Sequence, residues 1–394
     1  MKTYSLHPIS NKYIRQGHPW ITLDEYSKKF ARHEQFIVSK GHTALLIHDP
    51  DHHQIRARVW SLTGNFEEQI RRFPNELEKR INEAIEKRTK NNFERENFYL
   101  CFGESDRLPG LFIQKLGDHL LVQYFAFYWQ KFSKDIVRIL QSSMQEYYKE
   151  KFIPENIWIQ MRAGKQEAPI CFNKGQSTSE FTLKEFGLSY KLKLGNTYDH
   201  GLYTDMAAIR QQTTSFIGGA RNFLNLYSYT GAYSLFALSL GVPEVHSVDL
   251  SKKYLNWLEE NLELNSFEGA HTSHLGSVKE KLNAFIKEGL KFDAILSDPP
   301  SSSSDGKKKT NAMNSYKTEL PLMCELLNKG GHLIVFLNTH QVSPRKFQQK
   351  ILDILKEKKL KLKVIKTLRL SQDCPTHKGF PEGDYLKGIV LQKL

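Results

Sequence analysis

Four short stretches of the chain carry residues whose type and spacing suit a nucleotide-like ligand. The apolar run NFLNLYS leads into Tyr229-Thr230-Gly231-Ala232, where a glycine lets the backbone approach a ligand closely and the next helix offers unsatisfied amides to a carboxylate. Eighteen residues beyond Gly231, near the end of the run EVHSVDL, stands Asp249. A carboxylate there accepts hydrogen bonds from both hydroxyls of a ribose and repels a 2′-phosphate. The third stretch is Ser297-Asp298-Pro299-Pro300. Its two prolines fix φ and remove two amide donors, so carbonyls and Asp298 are left to face a cleft and hold the edge of a flat base. The fourth is Leu337-Asn338-Thr339-His340, in which Asn338 offers both a donor and an acceptor for base recognition.

Each stretch also has a plainer explanation. A glycine after a strand is commonly a turn, and the full G-x-G-x-x-G is missing. Asp249 would serve as the N-terminal stabiliser of a helix starting at Ser251. Asp-Pro-Pro can simply end a strand, and His340 can be a polar loop residue. The spacing of Gly231 and Asp249 favours the ribose reading.

Those residues need a frame that brings strand ends together. From about Gly195 onward strand-like and helical stretches alternate: NFLNLYS, a helix to Gly241, EVHSVDL, the helix SKKYLNWLEENLELN, FDAILSDPP, a helix near 316 to 328, GHLIVFLN, another helix, LKVIKTL and GIVLQKL. This order predicts a doubly wound α/β domain, whose ligands bind beyond the carboxyl ends of the strands. Upstream, residues 1 to 70 hold short strand-like runs (QFIVS, TALLIH, IRARVWSL) and read as a small β-rich module. Leu77, Ile81 and Ile85, spaced four apart among charges, mark an amphipathic helix. Residues 98 to 194 read as strands around one helix at 130 to 150, an α+β middle module. SSSSDGKKK at 301 to 309 reads as a mobile loop.

Length and composition fit this organisation. A chain of 394 residues suggests two or three domains. Its 40% apolar and 25% charged residues, with a mean hydropathy of −0.50, are those of an ordinary globular protein. No uninterrupted apolar run of about 18 residues is present, and the start MKTYSLHPISNKYIRQGHPW lacks the layout of a secretory signal, so a cytoplasmic location without membrane attachment is expected. The four cysteines are far apart with no C-x-x-C, which argues against a zinc knuckle or a disulfide framework.

The formal net charge is +13 and the isoelectric point about 9.3, which favours a polyanionic partner such as nucleic acid. Residues 1 to 190 hold 28 basic and 23 acidic residues, and the remainder 28 and 20. Residues 341 to 370 alone carry ten Lys/Arg against Asp353 and Glu357. They read either as a solvated helix and strand or as an RNA-contacting surface.

The motifs together resemble a family: S-adenosylmethionine-dependent methyltransferases of bacterial large-subunit ribosomal RNA, the group with an N-terminal PUA domain, comprising a cytosine-C5 branch and a guanine-N7 relative. The resemblance runs through GHPWI (17–21), GESDRLPGL (103–111), HGLYTDMAAIR (200–210), FLNLYSYTGAYS (223–234), VDLSKKYLNWLEENLELN (248–265), DPPS (298–301) and FPEGDYLKG (380–388). It implies an α/β architecture: a PUA-like RNA-binding domain at 1–70, a linker helix and α+β middle domain at 71–190, and a Rossmann-like class I methyltransferase domain at 191–394 with a reversed last strand. It implies S-adenosyl-L-methionine as cofactor, with Asp205 and Arg210 in the segment covering it, Tyr229 and Gly231 at its methionine end, and Asp249 at its ribose. The implied partner is 23S ribosomal RNA or a ribosome assembly intermediate, and the sequence leaves open whether the chain forms a homodimer. No metal is implied.

Three positions depart from the family. Ala232 stands where a second glycine is frequent, Ser277 replaces the usual adenine-contacting Asp, and Asn338 replaces the cysteine of the cytosine-C5 branch. The last bears on mechanism. Pyrimidine C5 normally becomes nucleophilic only after a cysteine thiolate adds to the ring, whereas guanine N7 or an exocyclic nitrogen needs no covalent help. With no cysteine at an expected strand end, a nitrogen acceptor is favoured, with Asp298, Pro299, Pro300 and Asn338 as the catalytic residues. Cys374, in the loop between the last two strands, remains the candidate nucleophile for C5 chemistry. Two other readings stay open: a nucleotide-dependent oxidoreductase, disfavoured by the missing glycine fingerprint, and an RNA-binding protein with a decayed cofactor site, motivated by Ala232, Ser277 and Asn338.

Overall fold

The computed structural model describes residues 2–300, 302–304 and 309–394. The chain divides into two compact units, one of residues 1–183, 193–200 and 372–383 and one of residues 184–192, 201–371 and 384–394.

The first unit begins with strands β1 (Thr3–Tyr4), β2 (Trp20–Thr22), β3 (Phe36–Ser39), β4 (Leu45–His48) and β5 (Ile55–Ser61), in the sheet order β1-β3-β4-β5-β2, with helix α1 (Pro8–Arg15) between β1 and β2. Successive strand residues face opposite sides. Ile37 and Leu46 accordingly join a core with Tyr4, Ile14, Ile21 and Phe30, while Val38, Leu45 and Ile47 face another. Both faces are covered, which is why QFIVS and ALLIH read as unbroken apolar runs. The second core is completed by α2 (Phe66–Arg71), α3 (Phe73–Thr89), α4 (Ser133–Tyr147) and a further five-stranded sheet. That sheet has the order β10-β9-β8-β7-β6, from β6 (Asn97–Phe102), β7 (Leu111–Leu116), β8 (His119–Tyr124), β9 (Ile157–Met161) and β10 (Ile170–Cys171). Leu77, Ile81 and Ile85 of α3 are buried, as their spacing requires.

A buried ion network ties this unit's distant segments together. Arg88 donates from Nη1 and Nη2 to Asp106 Oδ1 and Oδ2 at 2.7 and 2.6 Å, and from Nη2 to the Asp373 carbonyl at 3.0 Å. The Asp373 carboxylate accepts from Arg95 at 2.6 Å and from the Tyr99 amide at 2.9 Å.

Residues 184–192, from the hairpin of β11 (Ser179–Glu185) and β12 (Leu188–Leu194), belong to the second unit, which continues with α5 (Ala207–Gln212) and α6 (Thr214–Ile217). Then come β13 (Asn222–Leu226), α7 (Ala232–Ser239), β14 (Glu244–Asp249), α8 (Lys252–Glu263), β15 (Ala270–Leu275), α9 (Val278–Lys287) and β16 (Phe292–Ser297). A small antiparallel ribbon, β17 (Ser302–Ser304) and β18 (Lys309–Asn311), precedes α10 (Ala312–Leu326), β19 (Leu327–Asn338), α11 (Pro344–Glu357), β20 (Leu362–Leu368) and β21 (Leu386–Lys393). The sheet order is β15-β14-β13-β16-β19-β21-β20. β15, β14, β13, β16 and β19 run parallel, and β21 runs antiparallel to both its neighbours. This is the Rossmann-like α/β sheet with a reversed last strand. The strand order switches between β13 and β16, so ligands are expected beyond the carboxyl ends of β13, β14, β16 and β19.

Some local expectations change. β13 stops at Leu226 instead of continuing to Ser228, because Tyr227 turns to φ 59° and leaves the extended region. The helix expected at 316 to 328 runs from Ala312 to Leu326. β15 and α9 were not among the expected elements; β15 is a partly exposed edge strand, AHTSHL, with no apolar run to announce it. Of the loop expected at 301 to 309, residues 301 and 305–308 lie outside the described residues.

The ion network gives a stability test. Asp106→Ala leaves Arg88, 2% exposed, without its carboxylate, and should cost about 3–5 kcal/mol in urea unfolding. Removing the exposed partner of Arg72 by Glu68→Ala should cost under about 1 kcal/mol.

Candidate cofactor and substrate site

The turn after β13 is unusual in its backbone. Tyr227, Tyr229 and Gly231 have φ of 59°, 50° and 85°, three left-handed residues in five. Holding a non-glycine there costs roughly 1–3 kcal/mol and persists only where surrounding contacts enforce it. Those contacts are present. The Tyr229 amide donates to Asp249 Oδ2 at 2.9 Å and the Ser228 amide to the Val248 carbonyl at 3.0 Å. The Tyr227 hydroxyl reaches the Glu319 carboxylate at 2.8 and 3.0 Å. The Tyr229 hydroxyl accepts from the Gly201 amide at 3.0 Å, and its ring packs against Tyr254 and Tyr203 at centroid distances of 4.6 and 5.2 Å. A Cβ on Gly231 would lie 2.4 Å from Leu258 Cγ of α8. Glycine is therefore demanded here by its φ and by the approach of α8. After it, Ala232 opens α7, whose N-terminus has no side-chain cap, so its first amides remain to be satisfied.

Asp249 links this turn to the next helix. Its Oδ1 accepts from the Ser251 amide at 2.8 Å while Oδ2 holds Tyr229. The cap of α8 is Ser251, whose hydroxyl accepts from the Tyr254 amide, so Asp249 is not the helix's own cap. Burial raises its carboxyl above the ordinary value even against these donors. Each oxygen keeps a lone pair for a further donor.

The ends of β16 and β19 are joined by Tyr316 of α10. Its fully buried hydroxyl lies 3.0 Å from the Ser297 carbonyl and 2.6 Å from that of Phe336, and accepts from the Phe336 amide at 3.0 Å. Beyond this clamp Asp298 is partly buried, Pro299 buried and Pro300 exposed. Burial, together with the negative charge of Asp205, pushes the Asp298 carboxyl up to about 7. Asp205 in turn accepts from the Tyr385 hydroxyl at 2.5 Å. Asn338 is exposed at the last position of β19, opposite Leu386 of β21. Buried Lys387 donates to the carbonyls of Thr339 and Tyr385, and burial lowers its ammonium to about 8.

The other expected site residues are engaged differently. Arg210 is 2% exposed and paired with Glu185, Nε to Oε1 at 2.8 Å, beside the Tyr233 ring. Its charge is already matched, which makes it a brace of the 200–210 segment. Ser277 caps α9, its hydroxyl accepting from the Glu280 amide at 3.4 Å. Cys374 belongs to the first unit and is 1% exposed. Sequence reasoning did not single out Tyr316, Glu185, Glu319 or Tyr385; only Tyr385 lay within a noted motif. Among the described residues, no group of three or more His, Cys, Asp or Glu is arranged to hold a metal.

The donors and acceptors suit S-adenosylmethionine. Buried Ser228 Oγ, Tyr233 OH and Ser297 Oγ lack a hydrogen-bond partner among the described residues, a state usually relieved by water or a ligand. They stand with the uncapped α7 amides and Asp249 at the carboxyl ends of β13, β14 and β16.

The raised Asp298 carboxyl has a consequence for stability. Between the unfolded value of 3.8 and about 7 the folded protein holds a proton that the unfolded chain has released, so stability falls as pH rises through that window and levels off above it. Asp298→Asn should flatten this fall in thermal melts from pH 4 to 8. An unaltered pH dependence would assign it to another group.

A family model described as S-adenosylmethionine-dependent methyltransferase matches residues 156–369. Ribosomal RNA large subunit methyltransferase I of Aeromonas salmonicida is 28% identical over 397 residues, covering 97% of this chain and 96% of the relative. The protein of the same name from Vibrio cholerae is 26% identical, covering 98% and 97%. Among solved structures, SMU.776, a methyltransferase complexed with SAH, matches with a TM-score of 0.84 at 19% identity over 100% of both chains. A methyltransferase from Streptococcus mutans gives 0.81 at 19%, again over 100% of both. The structural likenesses bear on the fold alone. The sheet order and the family match over more than half its length lead to one conclusion: the chain belongs to the S-adenosylmethionine-dependent methyltransferase family.

Proposed function

We propose that this methyltransferase modifies a base of large-subunit (23S) ribosomal RNA, at a nitrogen such as guanine N7 in preference to cytosine C5. The RNA substrate is supported by curated relatives of near-equal length that carry the name ribosomal RNA large subunit methyltransferase I. The observation that carries the choice of atom is the exposed Asn338 at the end of β19, with all four cysteines buried. In this reading residues 1–70 dock RNA, 71–190 form the middle domain, and 191–394 bind the cofactor and do the chemistry, in a cytoplasmic protein.

S-adenosyl-L-methionine is the cofactor; when bound it supplies a methyl group on a sulfonium. Asp249 would hold the ribose, the amides opening α7 and the Tyr229–Gly231 turn the methionine end, and Ser277 the side of the adenine. Asp205 and Arg210 brace the segment that covers it, Asp205 through Tyr385 and Arg210 through Glu185. Methyl transfer is an in-line displacement, so the remaining residues align the acceptor and exclude water. Asp298 and the carbonyls at Pro299 and Pro300 hold the base edge, and Asn338 donates to or accepts from it. No cysteine is required.

Asp249→Ala should weaken S-adenosylmethionine binding about 100-fold in calorimetry, the loss of one charge-assisted contact of ~3 kcal/mol. Unchanged affinity would remove Asp249 from the site. Mass mapping of ribosomal RNA from cells lacking the protein should show one lost base methyl and name the acceptor atom. Cys374→Ser should keep full activity on that RNA, and an inactive but folded variant would shift the reading to cytosine C5.

A further inference from the structure

The catalytic half of the chain owes its net charge to one place. Outside residues 341 to 370, residues 191 to 394 hold eighteen basic and eighteen acidic residues. Inside that stretch ten Lys/Arg stand against two acids. In the structure the stretch forms α11, a short turn and β20, the terminal strand of the seven-stranded sheet. Phe347, Ile351, Ile354 and Leu355 bury one side of α11, so Arg345, Lys346 and Lys356 are left exposed. Lys358, Lys359 and Lys361 are exposed in the turn, and Lys363, Lys366 and Arg369 along β20.

One end of the surface is held by hydrogen bonds, and its charge is largely uncompensated. Gln212 of α5 fixes the end of β20, donating to the Arg369 carbonyl at 2.7 Å and accepting from its amide at 3.2 Å. Lys366 lies over the Phe216 ring at 5.4 Å. Among the described residues, the ten cations form a single ion pair, Lys358 with the adjacent Glu357, and Asp353 is taken by Gln349. The stretch holds one aromatic residue, Phe347, which is 0% exposed, so no ring is offered for base stacking.

We propose that α11, the 358–361 turn and β20 form a phosphate-binding surface that grips the backbone of the substrate RNA without reading its sequence. The proposal rests on the RNA reading above and adds where the polyanion is held. Lysines along an edge strand also deter edge-to-edge pairing, and that role alone predicts a different outcome. A phosphate surface contributes affinity that falls with salt, one increment per neutralised phosphate. An edge guard contributes solubility.

The test is a variant with Lys356, Lys359, Lys361 and Lys363 all changed to Gln, side chains for which no contact shapes the fold. Binding to a ribosomal RNA fragment, measured between 50 and 200 mM salt, should lose about three units of log–log salt slope. KM for RNA should rise while kcat and S-adenosylmethionine affinity stay unchanged. An unchanged slope and KM overturn the proposal, and self-association of the variant with an unchanged slope assigns the lysines to edge protection. A second variant, Arg345→Gln with Lys346→Gln on α11, checks the result independently of the strand. If the unmodified protein binds RNA with no salt dependence, the RNA reading itself fails, a result distinct from loss of the patch effect.

Discussion

The bond between the Asp249 carboxylate and the Tyr229 amide is the constraint on which the catalytic unit's geometry depends. It joins the ends of two adjacent parallel strands and keeps a turn with two left-handed tyrosines from relaxing. The same carboxylate orders the Ser251 amide ahead of α8, and α8 in turn presses Leu258 against Gly231. One side chain thus sets the entry to α7 and the entry to α8. A carboxylate can do this because it accepts several donors at once, and partial burial strengthens each bond by excluding competing water.

The next two strands, in the middle of the sheet, solve a different problem. The Tyr316 hydroxyl ties the ends of β16 and β19, the strands that lead to Asp298 and Asn338, by touching backbone atoms of both. Further out, Lys387 holds Thr339 and Tyr385 together, and Tyr385 reaches Asp205. Burial first, and then the nearby Asp205 carboxylate, let Asp298 keep its proton to so high a pH. The surroundings of Asp298 therefore favour little extra negative charge. Under the RNA reading, affinity for the polyanion comes from elsewhere on the chain, from residues 1–70 and from the lysines at the sheet's edge.

Much of this was legible residue by residue. The alternation of apolar strands and amphipathic helices after residue 195 announced the doubly wound sheet, and Gly231, Asp249, Asp298 and Asn338 stand at the strand ends where the alternation put them. Ser277 and Arg210 illustrate the limit. A serine before a helix is as good a cap as a ligand contact, and here its hydroxyl caps α9. The resemblance put Arg210 in the segment covering the cofactor, but its partner Glu185 lies 25 residues upstream on another element, a contact that no local pattern specifies. β15 was invisible because an exposed edge strand needs no apolar run.

By itself, the sequence determined the elements whose burial leaves a periodic trace, the order of the strands along the chain, and the residue types at their ends. Local propensity and hydrophobic period are properties of short segments, so they survive without a tertiary context. The tertiary structure alone decided which strand ends adjoin, that Asp249 holds Tyr229, that Tyr316 clamps β16 to β19, and that Tyr385 meets Asp205 across 180 positions. It also decided that nine of the ten basic residues of 341 to 370 stand exposed on a helix, a turn and a terminal strand of the sheet. Such contacts join residues far apart in the chain, and hydrogen bonds and charge repulsion act only at the short distances that folding creates.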